Sequence, residues 1–117
     1  MSLLDHYDPS RRGDYLEAGI FEVSIKDHRF FKYNSGYPGI EFHVESDTGA
    51  KQKGDFSLHP NALWKLANFA ADLGLTEQQM RQIDPGRPQT FMVFRGKRCR
   101  VKVVPDGEYY KIAKWMK

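Results

Sequence analysis

From residue 19 onward the chain alternates between apolar and polar positions. Phe21, Val23 and Ile25 fall in one phase and Glu22, Ser24 and Lys26 in the other, the period of a strand buried on one face. The alternation slips at Phe30 and Phe31, where adjacent rings occupy both phases, and a bulge or sharp bend over residues 27–29 accounts for the slip. Asn34, Ser35 and Gly36, then Pro38 and Gly39, supply turn chemistry. A second strand follows, with Ile40, Phe42 and Val44 inward and Glu41, His43 and Glu45 outward. Past the turn at Asp47, Thr48 and Gly49, a third strand is expected over residues 51–58, ending with Phe56 and Leu58 inward.

The period then becomes helical. Leu63, Leu66, Ala67, Ala70 and Leu73 share one face, Pro60 suits a first turn and Gly74 suits a helix end. Trp64 and Phe69 lie off this stripe and are expected to be partly buried. Thr76 and Gln79 form a capping-box pattern for a second short helix, stopped at Asp84 and Pro85. A short apolar piece at 91–94 leads to a fourth strand with Cys99, Val101 and Val103 inward and Arg98, Arg100 and Lys102 outward. Pro105, Asp106 and Gly107 turn the chain into a fifth strand over 109–115. In that strand, Tyr110 and Ile112 inward would put Tyr109, Lys111 and Trp115 on the outer face. The expected class is therefore mainly β, a five-stranded OB-type barrel with a helical insert between strands three and four. Small sandwiches and SH3-like barrels stay open, though neither needs a helix at that point.

Composition narrows the picture. At 117 residues and 40% hydrophobic, the chain fits one domain with one core. Residues 1–18 are polar and crowded with Asp, Ser, Arg and Gly, which predicts a partly ordered N-terminal arm before an OB-fold-like domain over 19–117. No stretch approaches the ~20 apolar residues of a membrane span. The charged first dozen residues resemble neither a signal peptide nor a lipid anchor. The single cysteine, Cys99, suits a reducing compartment and reads as a small core residue. A cytoplasmic location is expected.

The net charge of +3 is unevenly spread. Residues 95–117 hold eight basic and two acidic side chains, while the rest of the chain holds ten basic and thirteen acidic. Such asymmetry fits a polyanion partner, and it also fits ordinary solubilising surface. Arg98, Arg100 and Lys102, approached by Lys97, would stand about 6–7 Å apart per step on one strand face. That spacing resembles successive phosphates of an extended single strand. The plainer reading is a solvated face whose charge guards an edge strand. Arg29, Phe31, Lys32, Tyr33 and Tyr37 interleave rings with cations, as base stacking combined with phosphate pairing requires. Phe30 or Phe31 must help fill the core, so Tyr33 and Tyr37 are the better exposed pair. Tyr109, Lys111 and Trp115 join the candidate nucleic-acid contacts, with Trp115 equally suited to covering the barrel end or a subunit contact.

Catalytic and metal chemistry find little support. His6, His28, His43 and His59 have no ligand spacing and no cysteine pair beside them. There is no glycine-rich phosphate loop. Asp106, Glu108 and Lys111 crowd into one tight hairpin, too close together to build a nuclease centre. A non-enzyme without metal or cofactor is expected.

Five runs together resemble a known family. They are Gly19-Ile-Phe-Glu-Val-Ser-Ile, Ser35-Gly-Tyr-Pro-Gly-Ile-Glu-Phe, Phe56-Ser-Leu-His-Pro-Asn-Ala-Leu-Trp-Lys-Leu, Gly96-Lys-Arg-Cys-Arg-Val-Lys-Val and Tyr110-Lys-Ile. In order and spacing, over roughly residues 19–115, they are similar to small phage and prophage proteins of formerly unknown function that resemble OB-fold single-stranded DNA-binding proteins. The resemblance implies single-stranded DNA as partner, without strong sequence preference, in phage-type replication or recombination in a host cytoplasm. It nominates no contact residues. Many single-stranded DNA-binding proteins carry an acidic C-terminal tail that recruits partners, whereas this chain ends in the basic Lys114-Trp-Met-Lys. Either that recruitment is lacking or the chain is truncated. The alternatives are an OB-fold interaction module for replication or recombination proteins, self-assembly, or RNA binding.

Overall fold

The computed structural model describes residue 16 and residues 18–116. Of the expected N-terminal arm only Leu16 and Ala18 belong to the described residues. Leu16 is buried, and its amide donates to the Lys51 carbonyl at 3.0 Å. Five strands form one antiparallel sheet: β1 (Gly19–Lys32), β2 (Pro38–Ser46), β3 (Lys51–Ser57), β4 (Arg98–Asp106) and β5 (Tyr109–Met116). Their order across the sheet is β3-β2-β1-β4-β5. Two helices, α1 (Leu63–Asp72) and α2 (Glu77–Gln82), lie between β3 and β4 in the chain. No helix among the described residues is long and apolar enough to cross a membrane.

The first strand serves two partners in succession. Its residues 19–24 pair with β4 and its residues 23–32 pair with β2. The register against β2 shifts between Ile25 and Asp27, leaving Lys26 as the extra residue. This bulge is the expected irregularity, set just ahead of residues 27–29. The bulge bends the strand and lets both halves keep apolar residues inward. Val23 and Ile25 are buried before it, and Phe30 packs against the core after it.

The alternation read from the sequence holds in β2 and β4. Ile40, Phe42 and Val44, and Cys99, Val101 and Val103, are all buried, with their neighbours outward. Burial pushes the Cys99 thiol up to about 11, so it stays a protonated, inert core group. The capping box of α2 is formed: Thr76 Oγ1 accepts from the Gln79 amide at 3.1 Å, and Gln79 Oε1 accepts from the Thr76 amide at 2.9 Å. Helix α1 ends in a Schellman pattern, with the Gly74 and Leu75 amides donating to the Ala71 and Ala70 carbonyls. Residues 91–94 belong to a 3-10 segment, Pro88–Phe94, that tucks Phe91 and Phe94 under β1 and β2.

Four aromatic placements differ from the sequence reading: Phe69, Trp64, Trp115 and Tyr110, the last expected inward and found 40% exposed. Phe69, expected at partial burial, is buried at the centre of the core, stacked on Phe56 at 5.0 Å and close to Phe42 and Trp115. The buried stripe of α1 is Leu66, Phe69 and Ala70, while Ala67 is exposed and Trp64 stands 60% exposed. Trp115, expected outward beside Tyr109 and Lys111, packs inward. The β4–β5 register shifts after Lys102, so Ile112 faces Val103 and Trp115 faces Val101, with Ala113 as the extra residue. One bulge thus turns a strict alternation into two inward residues three apart.

The sheet curls until its inner face meets itself. Trp115 lies 5.5 Å from Phe56 and 6.2 Å from Phe42, ring centre to ring centre. No ladder joins β3 to β5, so the sheet is open by hydrogen bonding. The two edges meet through side chains instead. Gln52 Nε2 donates to the Tyr110 carbonyl at 3.4 Å, and Gly54 lies against Ile112 and Trp115.

A Cβ on Gly54 would stand 2.6 Å from Trp115 Cζ2 and 3.1 Å from Ile112 Cδ1. Gly54→Ala is therefore expected to destabilise the fold by roughly 1–3 kcal/mol through overpacking, read as a lower urea midpoint. Adding Trp115→Phe should recover part of that loss. An unchanged midpoint for the single variant would refute the close approach.

Candidate nucleic-acid interface

Past the Lys26 bulge, the outward residues of β1, β2 and β3 form cross-strand rows. Phe31 stands beside Gly39 and Ser57, Arg29 beside Glu41 and Asp55, and Asp27 beside His43 and Lys53. Gly39 decides the first row. A Cβ there would lie 2.6 Å from Tyr33 Cε2 and 2.8 Å from Phe31 Cζ, so the bare backbone is what lets both rings lie over β2. The rings meet edge to face, 4.7 Å apart, and the Arg29 guanidinium sits 5.9 Å from the centre of Phe31. The Tyr33 hydroxyl donates to Asp55 Oδ2. Burial, followed by that carboxylate, pushes the hydroxyl well above its ordinary value, so it remains a donor.

Glu41 anchors the next rows. Its carboxylate takes the His43 Nε2 at 2.7 Å, the Arg29 Nη2 at 3.4 Å and the Lys53 Nζ at 4.0 Å, with only 13% of its side chain exposed. Burial raises its pKa, but the His43 hydrogen bond and the Lys53 and Arg29 charges outweigh burial and hold it below the usual carboxylate range. Beyond Glu41 the face opens into a groove of roughly 400 Å³ lined by Lys26, Asp27, His43, Glu45, Lys51 and Lys53. The face thus carries a ring platform at one end and a lysine-lined groove at the other.

The candidate residues divide between this face and another. Arg29, Phe31 and Tyr33 belong to the platform. Lys32 is exposed where β1 runs out beside Pro38. Tyr37, half exposed in the β1–β2 loop, rests its ring edge-on against His59 at 4.3 Å. Tyr109, 76% exposed, and Lys111 sit on the β4–β5 hairpin, which reaches β3 through the Gln52–Tyr110 bond. Trp115 is inside, against Phe56 and Phe69. Lys97 is partly buried where β4 begins, and its carbonyl accepts from the Ile25 amide.

Arg98, Arg100 and Lys102 do face outward in one phase, but in different company. Their partners in β1 are Ser24, Glu22 and Ile20, the half before the bulge. Ser24 lies seven residues from Phe31, about 23 Å measured along the strand. Arg98 alone of the three reaches the rows of the β1–β3 face, where Ser24 stands between it and Glu45, the partner of Lys51. The Phe31 and Tyr33 rings therefore lie several rows from Arg100 and Lys102, while Arg98 stands in the row of Lys51 at the far end of the groove. Arg98 is already engaged: its Nη1 and Nη2 donate to the two Asp47 carboxylate oxygens at 3.1 and 3.3 Å, tying β4 to the β2–β3 turn.

Lys26, His43, Lys51 and Lys53 were missed by reading the sequence for charge excess. Their segment is balanced by Glu41, Glu45, Asp27 and Asp55, so no net charge marks it. The outward phase of His43 was visible. The cross-strand register that groups it with Lys53 was not. Among the described residues no group of three or more His, Cys, Asp or Glu side chains is placed to hold a metal ion.

Because the folded pKa of Glu41 is lowered, its contribution to stability is fully present above the ordinary value of 4.5 and fades as pH falls through the folded value. Glu41→Gln should therefore cost roughly 1 kcal/mol near neutral pH, with the gap to wild type closing below pH 4.5. Urea unfolding of both proteins at two pH values checks this, and a gap independent of pH would contradict it.

No family model matches the chain, and no curated protein matches it.

Proposed function

We propose that the chain binds single-stranded DNA without catalysis and without strong sequence preference, across the outer face of β1, β2 and β3, in phage-type DNA replication or recombination in the cytoplasm. The observation that carries this reading is the pair of rings, Phe31 and Tyr33, laid over Gly39 beside Arg29. Half-buried rings set on a strand face give bases a stacking surface that ignores sequence, and cations beside them pair with the intervening phosphates. The groove with Lys26, Lys51 and Lys53 continues the face and sets cations along it for phosphates to meet. The resemblance noted in the sequence points the same way.

The same reading includes the barrel. With β3 and β5 side by side, contacts advancing in one sense from Gln52–Tyr110 to Gly54–Ile112, and α1 packed across the end, the curled sheet is proposed to be of OB type. In such barrels the β1–β2 and β4–β5 loops flank the ligand. Here Tyr37 lies in the β1–β2 loop and Tyr109 opens β5 just after the β4–β5 turn.

Phe31→Ala and Tyr33→Ala should each weaken oligo(dT) binding by about 1–3 kcal/mol, while Tyr33→Phe, which keeps the ring, loses less. Fluorescence anisotropy at several salt concentrations is the measurement. Affinity should fall with salt at a slope of roughly 0.7 per phosphate contact. Ring variants that bind like wild type would remove the platform from the reading. Tighter binding of a matched RNA oligomer would reassign the partner.

A further inference from the structure

We propose that the outer face of β4 and β5 is a second polyanion surface, so that the chain holds two nucleic-acid strands at once, one on each outer face. The first strand rests on the single-stranded DNA reading of the β1–β3 face. The second surface stands on separate observations.

The β4–β5 register sets Lys102 directly opposite Lys114. Like charges so placed repel each other in the folded sheet. Arg100 lies one outward row to one side, opposite Met116, and Lys111 one row to the other, opposite Val104. Among the described residues, Lys102, Lys111 and Lys114 have no carboxylate within ion-pair distance. Within the outward rows of this ladder the one acid is Asp106, at the hairpin tip, while Glu22 of β1 stands beside Arg100 on its other side. The β1–β3 face is built differently, with its cations interleaved among Asp27, Glu41, Glu45 and Asp55.

A ladder that keeps Lys102 and Lys114 unmatched in register gains stability when phosphates neutralise them, and its rows lie about 7 Å apart, close to the phosphate repeat of an extended strand. Its rows carry no ring except Tyr109 at the tip. It therefore offers charge without a stacking platform, which suits a strand held through its phosphates with its bases turned away from the protein. Lys102 and Lys114 stand apart from the rows of the first face, so a strand confined to it leaves them uncovered. Two ligands on separate faces of one small domain are thereby brought close together, the arrangement needed to bring one strand to another.

The experiment mixes oligo(dT) of about 12 nucleotides, within the length one such domain covers, carrying a donor dye on one batch and an acceptor on the other. These strands cannot pair, so energy transfer reports the protein bringing them together. Wild type is expected to give transfer at low salt. Lys102→Glu/Lys114→Glu should abolish the transfer while binding a lone oligo(dT) within about twofold of wild type, with its fold checked by circular dichroism. Transfer retained by the variant, or absent from a wild type that binds lone oligo(dT), overturns the proposal. So does a variant that loses affinity for the lone oligomer, since the two faces would then form one path. Duplex DNA separates the two readings. Duplex binding lost in Lys102→Glu/Lys114→Glu but kept in Phe31→Ala/Tyr33→Ala supports the second surface. A wild type that binds duplex but not oligo(dT) overturns the first-strand reading and, with it, the two-strand arrangement.

Discussion

The bend in β1 is the constraint on which the rest depends. This strand is laddered on both sides only at Val23 and Ser24, and on either side of that point it belongs to a different pair of neighbours. An unbent strand would hold β2–β3 and β4–β5 in one flat layer, with the apolar side of each open to water. Inserting Lys26 lets the strand turn while Ile25 and then Phe30 stay on the inner side. Phe42, Phe56, Phe69, Phe94 and Trp115 can then gather from separate elements into one cluster. The outward consequence is equally fixed. The ring platform follows the bulge and the rows of Arg100 and Lys102 precede it, so the length of β1 separates them.

How much of this was legible depends on the range of the interaction. Local patterns translate directly. The alternation of β2 and β4, the Thr76–Gln79 box and the glycine stop after α1 each depend on residues a few positions apart, and each is found where the pattern places it. Trp115 was misplaced because a strand read alone shows no register, and Ala113 as an extra residue becomes visible only against β4. Phe69 was undervalued because a helical stripe was drawn around small residues, whereas the space beside Phe56 and Trp115 calls for a ring. Gly54 did leave a signal. An isolated glycine in a strand often marks a close approach, and here the approaching group is the Trp115 ring.

The candidate surface was legible in its rings and obscure in its charges. Arg29, Phe31 and Tyr33 are near neighbours in sequence and remain so in space. Ion pairing, in contrast, links distant residues: Arg98 to Asp47 across 51 positions, and Lys53 and Arg29 through Glu41. A count of basic residues treats Arg98 as available, while the fold has engaged it with Asp47. The same count overlooks Lys51 and Lys53 because acids nearby in sequence cancel them. Charge asymmetry pointed to β4 and β5, and the register groups Lys102 with Lys114 there and not with the rings of β1.

The missing side chain at Gly39 also has a kinetic and entropic reach. Phe31 and Tyr33 lie against bare backbone, with the Tyr33 hydroxyl held by Asp55, and these restraints are set when the β1–β2 hairpin folds. Under the proposed reading, a base stacking there would meet rings whose rotamer freedom has already been surrendered, so little further ordering would oppose the encounter. A methyl group at residue 39 would leave every charge on the face intact and still return that freedom to the rings.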